Sequence, residues 1–177
     1  MHALVIYESM FGNTRQVAEA IADGITASGA TATATSVGAT GNALEADLVI
    51  IGAPTHAHSL STESSRAEAA EWAADPEREL TLDPDATGGG VREWIEAEPA
   101  LPAFFVAFDT RADMIRLFTG AASASTHRHL ARRGLSELGP AESFVVTTHN
   151  RLSDGELARA RDWGAVIAAA WRARRTG

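Results

Sequence analysis

The chain has 177 residues, of which 45% are hydrophobic and 21% charged, and this suits one globular domain with its own apolar core. It contains no cysteine, so disulfide bonds, thiolate metal sites and cysteine nucleophiles are excluded. The formal net charge of −8 argues against nucleic acid as a ligand, because Lys and Arg must neutralise its phosphates, and it suits a soluble protein or a basic partner.

The amino-terminal residues do not have the pattern of a signal peptide. Met1–Leu4 have neither a basic region nor a long apolar run, and no stretch of the chain approaches the ~20 apolar residues that a membrane span requires. We therefore expect a cytoplasmic protein with no signal peptide and no membrane partner.

Short apolar runs alternate with helical patterns along the chain. The runs are typical of strands that are buried on both faces of a parallel sheet. In the first helical pattern Val17, Ile21 and Ile25 recur along one face, and Gly29 follows it. The predicted strands are Ala3–Tyr7, Thr31–Val37, Asp47–Gly52, Ala103–Phe108 and Glu142–Thr148. Of these, Thr31–Val37 alternates Thr and Ala and is predicted to be a weak edge strand.

The last two helical patterns have clear ends. Ser123–Arg133 is predicted to be a helix that stops at Gly134. The final helix opens with Ser153-Asp154-Gly155-Glu156, which we interpret as a capping box in which the first and last residues satisfy each other's backbone N–H groups. The alternation of strands and helices predicts a parallel sheet covered on both faces.

One connection is much longer than a link between a strand and a helix requires. It runs from His56 to Pro102, with helical patterns near Glu63–Trp72 and Val91–Glu96. Between these patterns, the Pro-, Asp- and Gly-rich stretch Asp75–Gly90 is predicted to be a mobile surface loop. We interpret residues 1–177 as a single domain that carries this insertion, about 56–102.

The most specific signal is the turn after the first strand, Tyr7-Glu8-Ser9-Met10-Phe11-Gly12-Asn13-Thr14. A phosphate bound there would meet a helix N-terminus, where unpaired N–H groups and the helix dipole favour an anion. Gly12 lets the backbone approach closely, and the polar side chains of the turn can donate hydrogen bonds. An ordinary strand–turn–helix with capping residues is the alternative.

Other phosphate motifs do not match this turn. A dinucleotide fold requires G-x-G-x-x-G and a Walker loop requires G-K-[ST], whereas here a single glycine precedes Asn13. A receiver domain requires an acidic pair after the first strand, and Glu8 stands alone. A low-molecular-weight phosphatase requires a cysteine. These mismatches leave a turn that would hold phosphate through backbone and side-chain donors.

On these residues the chain resembles the flavodoxin family, in particular small actinobacterial-type flavodoxin-domain proteins. The turn looks like the family's FMN-phosphate loop, Gly52–His56 looks like the loop that packs on the flavin ring, and Ala107–Arg111 looks like the loop at the ring's polar edge. The resemblance implies a flavodoxin-like, doubly wound α/β fold with a five-stranded parallel sheet in the order 2-1-3-4-5. In that order the three loops converge at the switch point where open α/β sheets bind ligands.

The resemblance implies FMN as the cofactor. If Arg111 reaches the ring, its charge would stabilise the anionic reduced form and raise the potential; an exposed loop arginine is the alternative. No residue is expected to be a catalytic acid, base or nucleophile. The residues expected to bind FMN are Ser9, Met10, Phe11, Gly12, Asn13, Thr14, Pro54, Thr55, His56, His58, Phe108, Asp109, Thr110 and Arg111.

The aromatic residues differ from those of many flavodoxins. The only tyrosine is Tyr7, in the first strand, so the usual sandwich of the ring between Trp and Tyr is missing. His58 or Phe11 could substitute for it, or the ring could lie open to a partner. His56 and His58 lack the acidic or thiolate ligands that a metal site needs, so no metal is expected.

The leading functional interpretation is an FMN-binding electron-transfer protein that exchanges electrons with a redox partner, a reductase or an acceptor. One alternative is an FMN-dependent NAD(P)H:quinone-type oxidoreductase, whose substrate pocket would use the long insertion and an oligomer. The other is a flavin-free flavodoxin-fold interaction module, which the missing aromatics favour. FMN binding and quinone turnover distinguish these three; the oligomeric state stays open.

Overall fold

The computed structural model describes residues 1–41, 43–56, 59–113 and 121–176. Its strands and helices follow the predicted apolar patterns closely, with boundaries shifted by a few residues. The strands are β1 (His2–Tyr7), β2 (Thr31–Ser36), β3 (Leu48–Pro54), β4 (Phe104–Ala112), β5 (Ser136–Glu137) and β6 (Glu142–Val146). The helices are α1 (Asn13–Ala27), α2 (Glu63–Ala74), α3 (Val91–Glu96), α4 (Ala122–Arg132) and α5 (Glu156–Thr176).

The strands form one parallel sheet in the order β2-β1-β3-β4-β5, which confirms the expected doubly wound arrangement. β6 is an addition to that order and pairs with the same neighbour as β5. Phe104 and Phe105 of β4 lie beside β5, and Phe108–Ala112 lie beside β6. β5 and β6 are therefore two parts of one fifth strand, interrupted between residues 137 and 142.

Helices cover both faces of the sheet, because the strand residues are apolar on both sides. α1 and α5 lie on one face, where Ile21 and Trp171 pack with Phe108 and Phe144. α3 and α4 lie on the other face, where Ile95 and Leu130 pack with residues of β3 and β4. In the described part of the link between β2 and β3 there are short 3-10 turns at 37–39 and 43–45 and no α-helix, so the alternation of strand and helix is interrupted there.

The register of the central strands places the candidate site. Tyr7 of β1 pairs with Gly52 of β3, and Gly52 pairs with Phe108 of β4. Because these strands are parallel, the segments that follow them lie together at one edge of the sheet. The three loops expected to bind FMN therefore start from adjacent strand ends.

The predicted capping box at the start of the last helix is wrong. The helix begins at Glu156, and the Glu156 carboxylate accepts from the Val145 N–H at 2.7 Å and pairs with Arg159 at 2.6 Å. The Ser153 N–H donates to the Val145 carbonyl at 2.9 Å. Both residues therefore tie α5 to β6, because a tertiary partner competes with the local cap.

The stretch predicted to be a mobile surface loop packs against the phosphate turn. Asp83 and Ala86 are buried, and the Asp83 N–H donates to the Met10 carbonyl at 2.8 Å. Met10, Ala69 and Ala86 share a small apolar cluster with Leu82 at its edge. Apolar residues inside a Pro- and Gly-rich segment are enough to anchor it.

None of the helices in the described ranges is long and apolar enough to cross a membrane.

Candidate functional site

The turn between β1 and α1 has the backbone geometry of an anion site. Gly12 is the N-cap of α1 with φ 86°, a left-handed conformation that favours glycine. The Gly12 N–H donates to the Ser9 hydroxyl at 3.1 Å, which closes the turn. The N–H groups of the next residues, Asn13 and Thr14, have no acceptor within the helix and lie at the positive end of its dipole.

Two threonines join this turn to β4. The hydroxyls of Thr14 and Thr110 lie 2.8 Å apart, and both side chains are buried. The Thr110 carbonyl accepts from the Thr55 N–H at 2.8 Å, and this bond holds the segment after β3 against β4. Only one hydroxyl of the pair donates to the other, so the second proton is free for a further acceptor. Thr110 therefore links all three predicted binding segments.

Three other predicted residues of the turn have different surroundings. The Asn13 amide donates to the backbone and side-chain oxygens of Asn150, at 3.0 and 3.1 Å, so it faces the link between β6 and α5. The Met10 side chain is buried in the cluster with Ala86 and supports the turn from below. Phe11 lines a cleft of about 580 Å³ beside the start of α5. The side chains of Asn13 and Met10 therefore have partners within the protein, and their contact with a phosphate stays a prediction.

The segment after β3 is held by hydrogen bonds to its neighbours. Pro54 ends the strand, and the Thr55 hydroxyl accepts from the Ala122 N–H at 3.0 Å. His56 and Ser59 exchange backbone hydrogen bonds of 2.9 and 2.8 Å. Burial lowers the pKa of His56, against the opposing charges of Glu8 and Glu68. His56 is therefore a neutral ring near neutral pH, while His58 lies outside the described residues.

The third predicted segment is part of β4 rather than a loop, because β4 continues to Ala112. Phe108 is fully buried between Gly52 and the rings of Phe144 and Trp163, so its side chain is part of the core, and its contact with a ligand stays a prediction. A Cβ on Gly52 would come within 1.9 Å of the Phe108 ring. The strand alternates, so Phe108 and Asp109 point to opposite faces.

Asp109 is a fully buried carboxylate at the start of α4. One oxygen, Oδ2, accepts from the Ser123 N–H at 3.0 Å and from the Ser123 hydroxyl at 2.5 Å. The other oxygen, Oδ1, has no hydrogen-bond partner among the described residues. Asp109 therefore anchors the N-terminus of α4 and keeps one acceptor free beside the site.

Arg111 does not project from an exposed loop. It lies within β4 and donates from Nη1 to the Ala112 carbonyl at 3.3 Å. Its charge also acts on Glu156. Burial by itself would raise the pKa of the Glu156 carboxyl, but hydrogen bonds from Arg159 and from the Val145 N–H outweigh it. With the positive charges of Arg159 and Arg111, they lower the pKa of Glu156. Arg111 thus acts on the start of α5, and its contact with a flavin ring stays a prediction.

A buried polar network that sequence reasoning missed lies beneath the turn. The Glu8 carboxylate is 4% exposed and accepts from the Val91 N–H at 2.8 Å and from the Ser61 hydroxyl. Arg66 donates to the Ser61 hydroxyl at 2.9 Å and pairs with Glu93 at 3.1 Å. The network therefore ties the residue before the turn to α2 and α3.

Gly90 and Arg92 complete this network. A Cβ on Gly90 would lie 2.6 Å from both Arg66 Nη1 and Glu8 Oε2, so only glycine fits without displacement. Arg92 donates to the carbonyls of Ser61 and Leu60 at 2.9 and 2.8 Å, which holds the end of the segment after β3. In the sequence, the one local sign of this network was Glu8, an acidic residue directly after a buried strand. The partners of Glu8 lie far from it along the chain.

An ion pair lies against the turn and was also missed. Arg15 Nε and Asp83 Oδ2 are 2.9 Å apart, with the Asp83 side chain 5% exposed and that of Arg15 42% exposed. Among the described residues there is no group of three His, Asp or Glu side chains that could hold a metal ion. The charged chemistry at this edge of the sheet is therefore that of carboxylates and arginines.

Comparison with known proteins agrees with this geometry. A flavodoxin domain model matches residues 4–66, from β1 to the beginning of α2, and so includes the whole turn. No curated protein sequence matches the chain. Several solved structures share its fold, and these likenesses at low identity show the fold alone.

Three of these structures are as follows. A flavodoxin from the domain Archaea is 17% identical with a TM-score of 0.64, covering 97% of this chain and 99% of that one. A flavodoxin from Streptococcus pneumoniae is 16% identical with a TM-score of 0.63, covering 97% and 99%. A WrbA-like flavodoxin from Agrobacterium tumefaciens is 20% identical with a TM-score of 0.54, covering 97% and 98%.

Proposed function

We propose that this chain, which has a flavodoxin-like fold, binds FMN at the edge formed by β1, β3 and β4 and transfers electrons between partner proteins. The observation that carries this proposal is the turn of residues 9–14. A left-handed Gly12 opens α1 there, in a region that a flavodoxin domain model matches. The N–H groups of that first helical turn suit the phosphate of FMN.

The residues present fit the phosphate half of FMN. The N–H groups of Asn13 and Thr14 provide donors, and the Thr14–Thr110 pair provides a hydroxyl proton. The Ser9 hydroxyl already accepts from Gly12, so its own proton is also available for an acceptor. Hydrogen bonds to a charged acceptor contribute about 1.5–3 kcal/mol each, so a few of them hold a phosphate firmly.

The residues at the ring half can orient a flavin, and bound FMN would supply the redox chemistry. The buried Asp109 carboxylate fixes the start of α4 beside the expected ring position through its bonds to Ser123. His56 is the one aromatic side chain in the described part of the segment 54–60. A ring with so little aromatic cover stays open to a partner on one side. This favours electron exchange across an exposed ring edge.

A pair of glycine variants tests the proposal. Gly12 and Gly29 both have positive φ, 86° and 80°, at opposite ends of α1. Gly12→Ala and Gly29→Ala therefore carry a similar strain, about 1–2 kcal/mol, but only the first distorts the turn. We expect Gly12→Ala to weaken FMN binding at least tenfold, and Gly29→Ala to leave the dissociation constant within twofold of wild type.

The titration with FMN that gives these dissociation constants also separates the alternative functions. Equal affinity in the two variants would place the phosphate elsewhere and contradict the proposed site. Failure of the wild-type protein to bind FMN would favour a flavin-free interaction module. Turnover of NAD(P)H with a quinone, with no reductase added, would favour a self-sufficient oxidoreductase over an electron carrier.

A further inference from the structure

Arg15 occupies an unusual position for a cation. It is the third residue of α1, where the helix dipole disfavours positive charge. Its partner Asp83 comes from the segment that packs on the turn, far away along the chain. An arginine in this place adds its charge to the positive end of the helix. A phosphate bound at the turn would therefore have a guanidinium beside it as well as the helix N-terminus.

Asp83 is held firmly enough to fix the arginine. Its N–H donates to the Met10 carbonyl at 2.8 Å, and its own carbonyl accepts from the Ala86 N–H at 3.0 Å. Its side chain is almost fully buried, while that of Arg15 is partly open to solvent. Asp83 is thus the fixed member of the pair, and Arg15 is the member that a ligand can reach.

Among the described residues, the pairing with Asp83 uses only Nε of the guanidinium and leaves its Nη groups for a ligand. Asp83 accepts from Nε at 2.9 Å. Arg15 Nη2 lies 3.5 Å from the position that a Cβ on Gly12 would take, which places it alongside the turn. A guanidinium has five N–H donors, so a phosphate can bond to the Nη groups while Nε stays on the aspartate.

The surrounding charges make this cation important. The pKa of Tyr7 is raised by burial and by the negative charges of Asp83, Glu19 and Asp85. Asp83 in turn raises the pKa of Arg15, which stays fully protonated. A phosphate at the turn would therefore lie near several carboxylates, and the positive charge of Arg15 would offset them.

We propose that Arg15 binds the phosphate of the ligand held at this turn, and that Asp83 is the positioning residue that orients its guanidinium. The inference rests on the proposed function and deepens it. It makes Arg15 a determinant of selectivity for FMN over riboflavin, which has the same ring but no phosphate.

The test is a titration of FMN and riboflavin against Arg15→Gln, Asp83→Asn and the double variant. Arg161→Gln is the matched control, because it removes the same charge from an exposed pair with Asp23, 2.8 Å long. We expect Arg15→Gln to weaken FMN binding about tenfold or more, the loss of one charge-assisted bond, and to leave riboflavin unchanged. Arg161→Gln should change neither ligand.

Asp83→Asn and the double variant complete a double-mutant cycle with Arg15→Gln. If Asp83 orients Arg15, Asp83→Asn weakens FMN binding about threefold to tenfold in the wild-type background and has no such effect when residue 15 is already Gln. If Asp83→Asn instead tightens FMN binding in both backgrounds, Asp83 only repels the phosphate and its positioning role is overturned. Equal loss of FMN and riboflavin in Arg15→Gln would overturn the role of Arg15.

Inorganic phosphate separates this inference from the proposed function. Its binding is followed by the amide chemical shift of Gly12 in wild type and Arg15→Gln. A phosphate-dependent shift that is lost in Arg15→Gln supports the inference even if FMN fails to bind, and then only the proposed function falls. A shift of equal size and midpoint in both proteins, or none in either, would overturn the role of Arg15.

Discussion

Replacing Gly90 by alanine tests the buried network beneath the turn. The new Cβ would lie 2.6 Å from Arg66 Nη1, 2.6 Å from Glu8 Oε2 and 2.9 Å from Ser61 Oγ. These atoms belong to buried, hydrogen-bonded side chains and cannot swing into solvent. The substitution therefore forces the network apart at the point where α3 begins.

The magnitude follows from two opposing effects. Overpacking a well-packed site costs about 1–3 kcal/mol. Alanine in place of glycine also restricts the unfolded chain, which stabilises by about 0.4–1 kcal/mol where the backbone conformation is allowed. The φ of Gly90 is −90°, so its backbone conformation suits alanine. The net loss of unfolding free energy should be about 1–2 kcal/mol.

Gly89→Ala provides the control in the same segment. A Cβ on Gly89 meets no atom within 4 Å, so this variant gains only the effect on the unfolded chain. Urea and thermal unfolding should show Gly89→Ala as stable as wild type or slightly more so. Gly90→Ala should unfold about 2–8 °C lower, at about 2–4 °C per kcal/mol for a chain of this size. Equal melting temperatures for the two variants would refute the close packing around Gly90.

Two further predictions concern the other carboxylates. The pKa of Glu156 is lowered in the folded chain, so its bonds stabilise the fold above the ordinary pKa and that stability is lost as the pH falls through the lowered value. Glu156→Gln should therefore flatten the acid side of a stability–pH profile, and an unchanged slope would contradict this. Asp109→Ala leaves the Ser123 N–H and hydroxyl without their buried acceptor, and urea unfolding should show a loss of about 1–3 kcal/mol. Ser123→Ala should cost less, because the Asp109 oxygen keeps a backbone donor; the reverse order would refute the assigned bonds.

Local patterns were sufficient to predict the sheet and the turn. Strands such as β3 are short apolar runs, and their parallel direction follows from how such runs alternate with helices, whereas the order of the strands was implied by the resemblance to the flavodoxin family. Gly12 could be assigned to a tight turn because it lies between a buried strand and a helix, directly before the first helical residue. These features depend on neighbours within a few residues, which a single sequence displays.

The rest of the site depends on contacts between distant residues. Glu8 meets Ser61 and Val91, and Arg15 meets Asp83, across separations that no periodicity encodes. The failed capping box has the same cause, because Glu156 bonds to β6 instead of its own helix start. Three-dimensional packing decides which of several available partners a polar side chain takes.

The location of FMN binding is the central claim, and the amide spectrum of the protein during an FMN titration tests it most directly. The account predicts shifts that saturate at one FMN per chain and that are largest for the backbone N–H groups of Gly12, Asn13 and Thr14. No saturable shift, or shifts centred on the cleft beside Phe11 and Leu157 with the turn unaffected, would contradict the account.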